Sequence, residues 1–182
     1  ILANLVLSAE SDELGIRAGL QDRVIQAYEG CVYMDFNQKK FEKNGIGIYE
    51  RISPEKLPPL YIAYKTDLGK VSGTVLNNIR VRFEKGDQEV ITSLQQMANL
   101  AEEGKKAINE GDHTKLFELM DANFDLRCKL MQISDSNMEL VQTARDCGVS
   151  AKFTGSGGSI IGMYKDDEEL TRLVIAMRKL KA

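Results

Sequence analysis

A short glycine-rich segment near the C-terminal end is the sharpest candidate for chemistry. It reads Lys152-Phe153-Thr154-Gly155-Ser156-Gly157-Gly158-Ser159. Its three glycines free the backbone to point several N–H groups into one concavity, which can hold an anion, and the hydroxyls of Thr154 and Ser156 add further donors. The alternative is a flexible hairpin loop between two strands, because the segment lacks the strand-to-helix GxxxxGK[ST] pattern of a P-loop.

A second candidate is an acidic residue at a predicted helix start, in the stretch Ala18-Gly19-Leu20-Gln21-Asp22-Arg23. An aspartate just after a glycine turn can be held close to a ligand, and the positive end of the helix dipole favours its ionised form. The competing interpretation of Asp22 is an ordinary first-turn carboxylate. Glu10, twelve residues earlier, is by itself typical of a solvated acid at a helix end.

The composition excludes several classes of function. The chain has 182 residues, with 24 basic against 27 acidic residues and a net charge of −3, which argues against an electrostatic grip on nucleic acid or on an anionic membrane. The longest apolar runs fall far short of the ~20 residues that a spanning helix needs. Cys31, Cys128 and Cys147 are odd in number and widely spaced, so they predict neither a disulfide framework nor a CxxC metal site. We therefore expect a soluble, cytoplasmic protein without a nucleic-acid or membrane partner.

The order of the predicted elements indicates a mixed fold that would position these candidates. Hydrophobic spacing and turn residues predict a helix end at 1–10, a helix from about 19 to 30, strands at 31–36, 45–52 and 60–65, helices at 71–83, 88–110, 113–130 and 136–147, strands at 151–154 and 159–164, and a helix at 166–181. This order is typical of an α+β fold, an antiparallel sheet with helices on one face.

Two motifs resemble those of a known superfamily of small-molecule kinases. AGLQDRV at 18–24 and KFTGSGG at 152–158 resemble the catalytic-aspartate segment and the third glycine motif of the galactokinase, homoserine kinase, mevalonate kinase and phosphomevalonate kinase (GHMP) superfamily. Within it the chain is most similar to glucuronokinases, through Leu57-Pro58-Pro59-Leu60 and Asn123-Phe124-Asp125-Leu126-Arg127 among other stretches. The resemblance covers nearly the whole chain. It implies a C-terminal kinase domain at 56–182, preceded at 1–55 by a remnant of the N-terminal domain.

The resemblance also implies an activity and a set of site residues. Such kinases transfer the γ-phosphoryl group of ATP to a hydroxyl of a small metabolite, here the anomeric hydroxyl of D-glucuronate. It implies Asp22 as the catalytic residue and Glu10 as the ligand of Mg²⁺. The other implied residues are Gln21 and Arg127 for the substrate, and Thr154, Gly155, Ser156, Gly157 and Gly158 for ATP.

The chain departs from the family pattern in ways that leave alternatives open. It does not begin with Met, and the Pro-containing Gly-Leu-Gly-Ser-Ser phosphate loop of the family is absent from it. We therefore expect a fragment that relies on a missing N-terminal segment of the same protein and is inactive alone. Arg23 stands where family members often have Gln. The open alternatives are a non-catalytic module, another sugar acceptor such as fucose or a heptose, an Arg127 that pairs with Asp125 or Asp121, and Lys70 or Arg80 in its place.

Overall fold

The computed structural model describes residues 1–15, 19–65 and 72–182, with only the backbone described for 72–77. Of the residues named above, Ala18 and Lys70 lie outside this description, as does position 71 of the helix predicted at 71–83. The described chain divides into two units, Ile1–Lys56 and Leu57–Ala182. That these units correspond to part of the N-terminal domain and to the C-terminal domain of the resembled kinases stays a prediction.

The first unit combines short helices with a two-stranded antiparallel ribbon. Its elements are α1 (Leu2–Ser8), a π-helical turn (Ala9–Glu13), α2 (Leu20–Tyr28), β1 (Cys31–Asp35), α3 (Gln38–Asn44), β2 (Ile48–Ile52) and a 3-10 turn (Pro54–Lys56). Strand β1 pairs with β2, with Cys31 opposite Ile52 and Asp35 opposite Ile48. The predicted helix around Asp22 and the two predicted strands are therefore confirmed.

Two features of this unit differ from the prediction. The first helix is predicted to end by residue 10, but the chain continues over Ala9–Glu13 as a π-helical turn, in which the Ser11 hydroxyl donates to the Leu7 carbonyl. Helix α3 was missed because Phe41 is the only large apolar residue in its seven positions. Its boundaries were nonetheless encoded, since the Asn37 side chain caps the N-terminus and Gly45, at φ 68°, ends the helix in the left-handed region.

The second unit contains most of the helices and a three-stranded antiparallel sheet. Its elements are β3 (Leu60–Tyr64), α4 (Ser72–Glu84), α5 (Gln88–Glu110), α6 (His113–Leu130), α7 (Asp135–Asp146), β4 (Lys152–Phe153), β5 (Ser159–Met163) and α8 (Asp167–Lys179). The bounds of α5 and α6 agree with the prediction because strong caps set them. Asp87 and Asp112 accept backbone N–H bonds at the two N-termini, and Gly111 ends α5 at φ 73°. Among the described residues, no helix is both long and apolar enough to span a bilayer.

The core of this unit lies between one face of the sheet and three helices. The strand order is β3-β5-β4, with Tyr64 opposite Ser159 and Phe153 opposite Ile160. Tyr61 and Ala63 of β3 point into a core that helices α6, α7 and α8 close, whereas Leu60, Ile62 and Tyr64 on the other face of β3 are exposed. The predicted α+β arrangement, with helices on one face of an antiparallel sheet, is confirmed.

Candidate active site

Asp22 lies in the first turn of α2, where its carboxylate is open to a ligand. Gly19 precedes the helix in an extended conformation and serves as its N-cap residue. The side chain of Asp22 is 78% exposed. Because the carboxylate is exposed, it is available as a hydrogen-bond acceptor.

A half-buried arginine joins Asp22 to Glu10. The Nε and Nη2 atoms of Arg23 both contact Oε2 of Glu10, which lies in the π-helical turn. Nη1 of the same guanidinium lies 3.2 Å from Asp22 Oδ2 and 3.3 Å from the carbonyl oxygen of Gly19. The sequence offered no role for Arg23. In the structure its guanidinium contacts both implied acidic residues, Glu10 and Asp22.

Gln21 lines a cavity beside the start of α2. The cavity has a volume of about 490 Å³, and its walls include the rings of Phe36 and Phe41 and the side chains of Gln38 and Glu42. Gln38 donates a hydrogen bond of 2.8 Å to Glu42. Aromatic faces next to amide and carboxylate groups suit a small molecule that has both apolar faces and hydroxyl groups.

The glycine-rich loop between β4 and β5 is held by side chains from two helices. Arg127 of α6 donates from Nη1 to the carbonyl oxygen of Gly155 at 2.6 Å. At the other end of the loop, the backbone N–H of Gly158 donates to Oδ1 of Asn137 on α7 at 2.8 Å. The backbone N–H of Lys65 donates to the Gly158 carbonyl at 3.0 Å. The loop is therefore a preorganised segment rather than the free hairpin that the sequence left as an alternative.

The backbone of this loop requires glycine at two adjacent positions. Gly157 has φ 133° and Gly158 has φ 77°, a region that side-chain-bearing residues rarely adopt. A Cβ on Gly157 would also lie 3.2 Å from the amide oxygen of Asn137. Thr154 and Ser159 close the base of the loop through a contact between their hydroxyl groups.

Two cations lie beside the loop and have no carboxylate partner within the part of the chain that the structure describes. The Nε atom of Arg127 is buried and has no hydrogen-bond partner in the described structure, and burial lowers the pKa of this guanidinium. Burial, and then the charge of Arg127, lower the pKa of Lys152, whose ammonium group donates to the Phe153 carbonyl. Neither side chain takes part in an ion pair among the described residues. Two partly buried positive charges with no ion pair among the described residues favour an anionic ligand.

The alternative partners proposed for Arg127 are occupied elsewhere. Arg145 pairs with Asp121 at 3.3 Å and with Asp125 at 2.8 Å, so an ion pair of Arg127 with these carboxylates is not what the structure contains. Arg80, the other described alternative, forms an exposed pair with Glu84 on its own helix. Arg127 therefore remains the candidate for binding an anionic acceptor.

A second cavity lies next to the loop. It has a volume of about 430 Å³, and its walls include Ser156 of the loop, Asn137, Ser134 and Phe153. The sequence did not reveal Asn137, because this residue lies 21 residues before its partner Gly158 and carries no local motif. Lys152 was part of the quoted motif, and its position directly before the loop was the available signal.

Glu10 is the described candidate for a metal ligand. Among the described residues, no group of three or more histidine, cysteine or acidic side chains forms a metal-binding cluster. Both contacts from Arg23 end on Oε2 of Glu10, which leaves Oε1 without a bond to that guanidinium. Magnesium in nucleotide sites commonly takes one or two protein carboxylates together with phosphates and water, so a single glutamate fits this chemistry.

The C-terminal part of the chain matches a known family of kinases. Residues 105–181 match the family model described as GHMP kinases C terminal. These C-terminal residues therefore belong to the GHMP kinase C-terminal family.

Individual relatives make the likeness more specific. The chain is 45% identical over 161 residues to glucuronokinase 1 of Arabidopsis thaliana, a match that covers 87% of this chain and 44% of that protein. It is 24% identical to the D-glycero-alpha-D-manno-heptose 7-phosphate kinase of Campylobacter jejuni, over 98% of this chain and 53% of that protein. The chain thus spans about half the length of these relatives, or less.

A solved structure shows the same fold. The L. major mevalonate kinase, in complex with R-mevalonate, superposes with a TM-score of 0.70 at 19% identity and covers 95% of this chain and 52% of its own.

Proposed function

We propose that the intact protein transfers the γ-phosphoryl group of ATP to the anomeric hydroxyl of D-glucuronate and releases ADP and the sugar 1-phosphate. The observation that carries this proposal is the guanidinium of Arg127, which has no ion pair among the described residues and lies beside a held glycine-rich loop, in a chain 45% identical to a glucuronokinase. The substrates named for the similar proteins are anions, which supports a cation in the acceptor site. Glucuronate and mevalonate carry a carboxylate, and heptose 7-phosphate carries a phosphate.

Asp22 is proposed to act on the acceptor. In the transfer step a bond forms between the anomeric oxygen and the γ-phosphorus, and the bond from that phosphorus to the β–γ bridging oxygen of ATP breaks. The proton of the acceptor hydroxyl passes to the Asp22 carboxylate, which is exposed at the start of α2. Gln21, next to it, would orient the acceptor by hydrogen bonding from the wall of its cavity.

Thr154 to Gly158 are proposed to line the phosphate end of ATP. Their backbone is already held by Arg127 and Asn137, so little conformational freedom would be lost when an anion binds. Glu10 would hold Mg²⁺ through a carboxylate oxygen. The ion, when bound, supplies neutralisation of the charge that develops on the phosphoryl oxygens.

Arg127 is proposed to bind the acceptor carboxylate. A planar guanidinium binds a carboxylate through two parallel hydrogen bonds, and the Nε atom of Arg127 has no hydrogen-bond partner among the described residues. The proposal includes the assignment of 1–55 to the N-terminal domain of the kinase, a cytoplasmic location and the contribution of further phosphate-binding groups by the N-terminal segment of the same protein.

The test is the effect of Arg127→Gln on acceptor choice in the intact protein. We expect the KM for D-glucuronate to rise at least about tenfold, because hydrogen bonds to a charged group contribute roughly 1.5–3 kcal/mol and 1.4 kcal/mol is a factor of ten. The KM for D-glucose, which has no carboxylate, should change little. Arg127→Lys should recover only part of the loss, since an ammonium group cannot form the two-point contact.

Arg80→Gln provides the matched control, since it removes an exposed guanidinium of the same unit that pairs only with Glu84 among its described contacts. Equal effects of Arg127→Gln on the acid and on the neutral sugar would assign Arg127 to holding the loop alone.

A heptose phosphate is the second candidate acceptor, and the 24% identical relative favours it. Coupled ADP release with a panel of D-glucuronate, L-fucose and heptose 7-phosphate separates the candidates. Absence of ADP release with every acceptor would favour the non-catalytic alternative.

A further inference from the structure

Arg23 is the one charged residue that contacts both implied acidic groups within the described part of the first unit. Its guanidinium meets Glu10 through Nε and Nη2, and Asp22 and the Gly19 carbonyl through Nη1. The side chain of Arg23 is only 13% exposed, whereas that of Glu10 is 26% exposed. A guanidinium so far removed from water needs acceptors, and the two carboxylates and the carbonyl supply them.

The two acidic residues come from separate elements. Glu10 belongs to the π-helical turn, and Asp22 to the first turn of α2, with residues 16–18 of the intervening chain outside the description. Two carboxylates close together repel each other. Among the described hydrogen bonds, those that join the π-helical turn to α2 all come from Arg23. The planar guanidinium therefore fixes the separation of the carboxylates and offsets their repulsion.

The geometry points to Arg23 as a positioning residue that orients Glu10 for a divalent cation and Asp22 for the acceptor. This inference rests on the proposed function for the roles of the two carboxylates. Both bonds from Arg23 to Glu10 end on Oε2. They fix the orientation of the carboxylate and leave Oε1 for the cation. Groups that orient a metal ligand in this way typically change metal affinity or activity 10–100-fold when they are removed.

The experiment compares Arg23→Gln, Arg23→Lys and Arg51→Gln in the intact protein. Arg51 is the matched control because it is an arginine of the same unit that donates to the Tyr28 carbonyl and lies over the Tyr28 ring, with no part in the acidic pair. The first readout is binding of Mn²⁺ in the presence of ATP and without acceptor, followed by the electron paramagnetic resonance signal of free Mn²⁺. The second is the dependence of phosphoryl transfer on Mg²⁺ concentration.

We expect Arg23→Gln to weaken Mn²⁺ binding about 10–100-fold and to lower kcat, with Arg51→Gln unchanged in both. Arg23→Lys should be intermediate, because an ammonium group can meet one carboxylate but cannot span both. In a Glu10→Gln background, Arg23→Gln should cause no further loss of Mn²⁺ affinity, since the arginine acts through that ligand. An unchanged affinity, or tighter binding because a competing cation has gone, would overturn the inference.

A thermal unfolding measurement separates positioning from folding. If Arg23→Gln fails to fold, the soluble Arg23→Lys variant carries the test, and full Mn²⁺ affinity with full kcat in that variant would contradict a need for the two-carboxylate contact. If no sugar is phosphorylated by the wild-type protein, the proposed function fails, whereas the Mn²⁺ measurement still decides the role of Arg23.

Discussion

The two units hold their candidate groups by different means. In the first unit, Asp22 and Glu10 are held by one mostly buried guanidinium, and the buried hydrophobic residues among those described are Ala3, Val24 and Ile52. In the second unit, the glycine-rich loop is held by Arg127 and Asn137, on helices that pack against a core of more than ten buried side chains. Chemistry in the first unit should therefore depend on charges, and loop geometry in the second on packing.

Asp22→Asn should have the largest effect and should fall on turnover alone. If Asp22 accepts the proton of the acceptor hydroxyl, its replacement lowers kcat by roughly 10²–10⁴-fold and leaves ATP binding nearly intact. Because the side chain is exposed, the free energy of unfolding should change by less than about 1 kcal/mol. Steady-state kinetics of the intact protein and urea unfolding check the two parts.

Asp12→Asn is the matched control for this variant. Asp12 lies in the same unit, in the π-helical turn, where its carboxylate accepts a hydrogen bond from Ser8. Its replacement should leave turnover unchanged, and an equal loss in both variants would remove the assignment of Asp22.

In the second unit, Gly162→Ala should lower the free energy of unfolding, whereas Asp22→Asn lowers turnover. A Cβ on Gly162 would lie 1.7 Å from the Ser150 carbonyl oxygen and 2.6 Å from the Tyr61 ring, so the strand and its neighbours would have to move. Overpacking of this kind typically lowers the free energy of unfolding by about 1–3 kcal/mol. Because the clash here is with a backbone atom, we expect a loss of about 3 kcal/mol or more. The midpoint of urea unfolding of the 182-residue chain measures it.

Gly104→Ala gives the comparison, because the nearest atom to its Cβ would be Cδ1 of Leu116 at an ordinary 3.9 Å. There we expect a change of at most about 1 kcal/mol, in the stabilising direction, from the higher helix propensity of alanine. A Gly162→Ala chain as stable as Gly104→Ala would show that the sheet is less tightly packed than described.

Asn137→Ala should affect the loop and the fold together. It removes the acceptor for the Gly158 N–H group, a loss of about 1 kcal/mol in stability. In this variant the loop must become ordered when ATP binds. The KM for ATP should therefore rise several-fold, while kcat at saturating ATP stays close to that of the wild type. Asn99→Ala, at an exposed position where the amide pairs with Gln95, should change neither quantity.

Lys152→Met should have the smallest effect on stability. It should stabilise the fold slightly and weaken ATP binding. Because burial and Arg127 lower the pKa of Lys152 from its ordinary value of 10.5, the unfolded chain binds this proton more tightly than the folded one. The free energy of unfolding of the wild type therefore contains a contribution that rises with pH between the lowered pKa and about 10.5.

Lys152→Met lacks this contribution, so it should be slightly more stable than the wild type at pH 7 and should bind ATP more weakly. Thermal unfolding between pH 7 and 10 measures the first effect, with Lys106→Met, at an exposed position on α5, as the control. A destabilised variant would mean that the bond from Lys152 to the Phe153 carbonyl outweighs the cost of burying the charge.

The sequence predicted those parts of the molecule whose signals are local. Helices α5 and α6 were bounded correctly because Asp87, Asp112 and Gly111 set their ends through contacts within a few residues. Helix α3 was missed because its caps enclose a nearly all-polar segment. The glycine-rich loop was recognised from its own residues, but Asn137 and the Arg127–Gly155 bond are contacts between distant parts of the chain, which a single sequence does not reveal.

The partners of Arg23 were out of reach for a related reason. The contact joins positions thirteen residues apart, across a π-helical turn that was predicted as a break in the first helix. The charges were visible in the sequence, but their pairing depends on that turn.

ADP release by the intact protein with ATP, Mg²⁺ and a sugar tests the central claim most directly. The account predicts release that depends on D-glucuronate, with one sugar 1-phosphate formed for each ADP, and a rate with D-glucose at least about tenfold lower at the same subsaturating concentration. Release that is no faster with D-glucuronate than without acceptor, or equal rates with the acid and the neutral sugar, would contradict it.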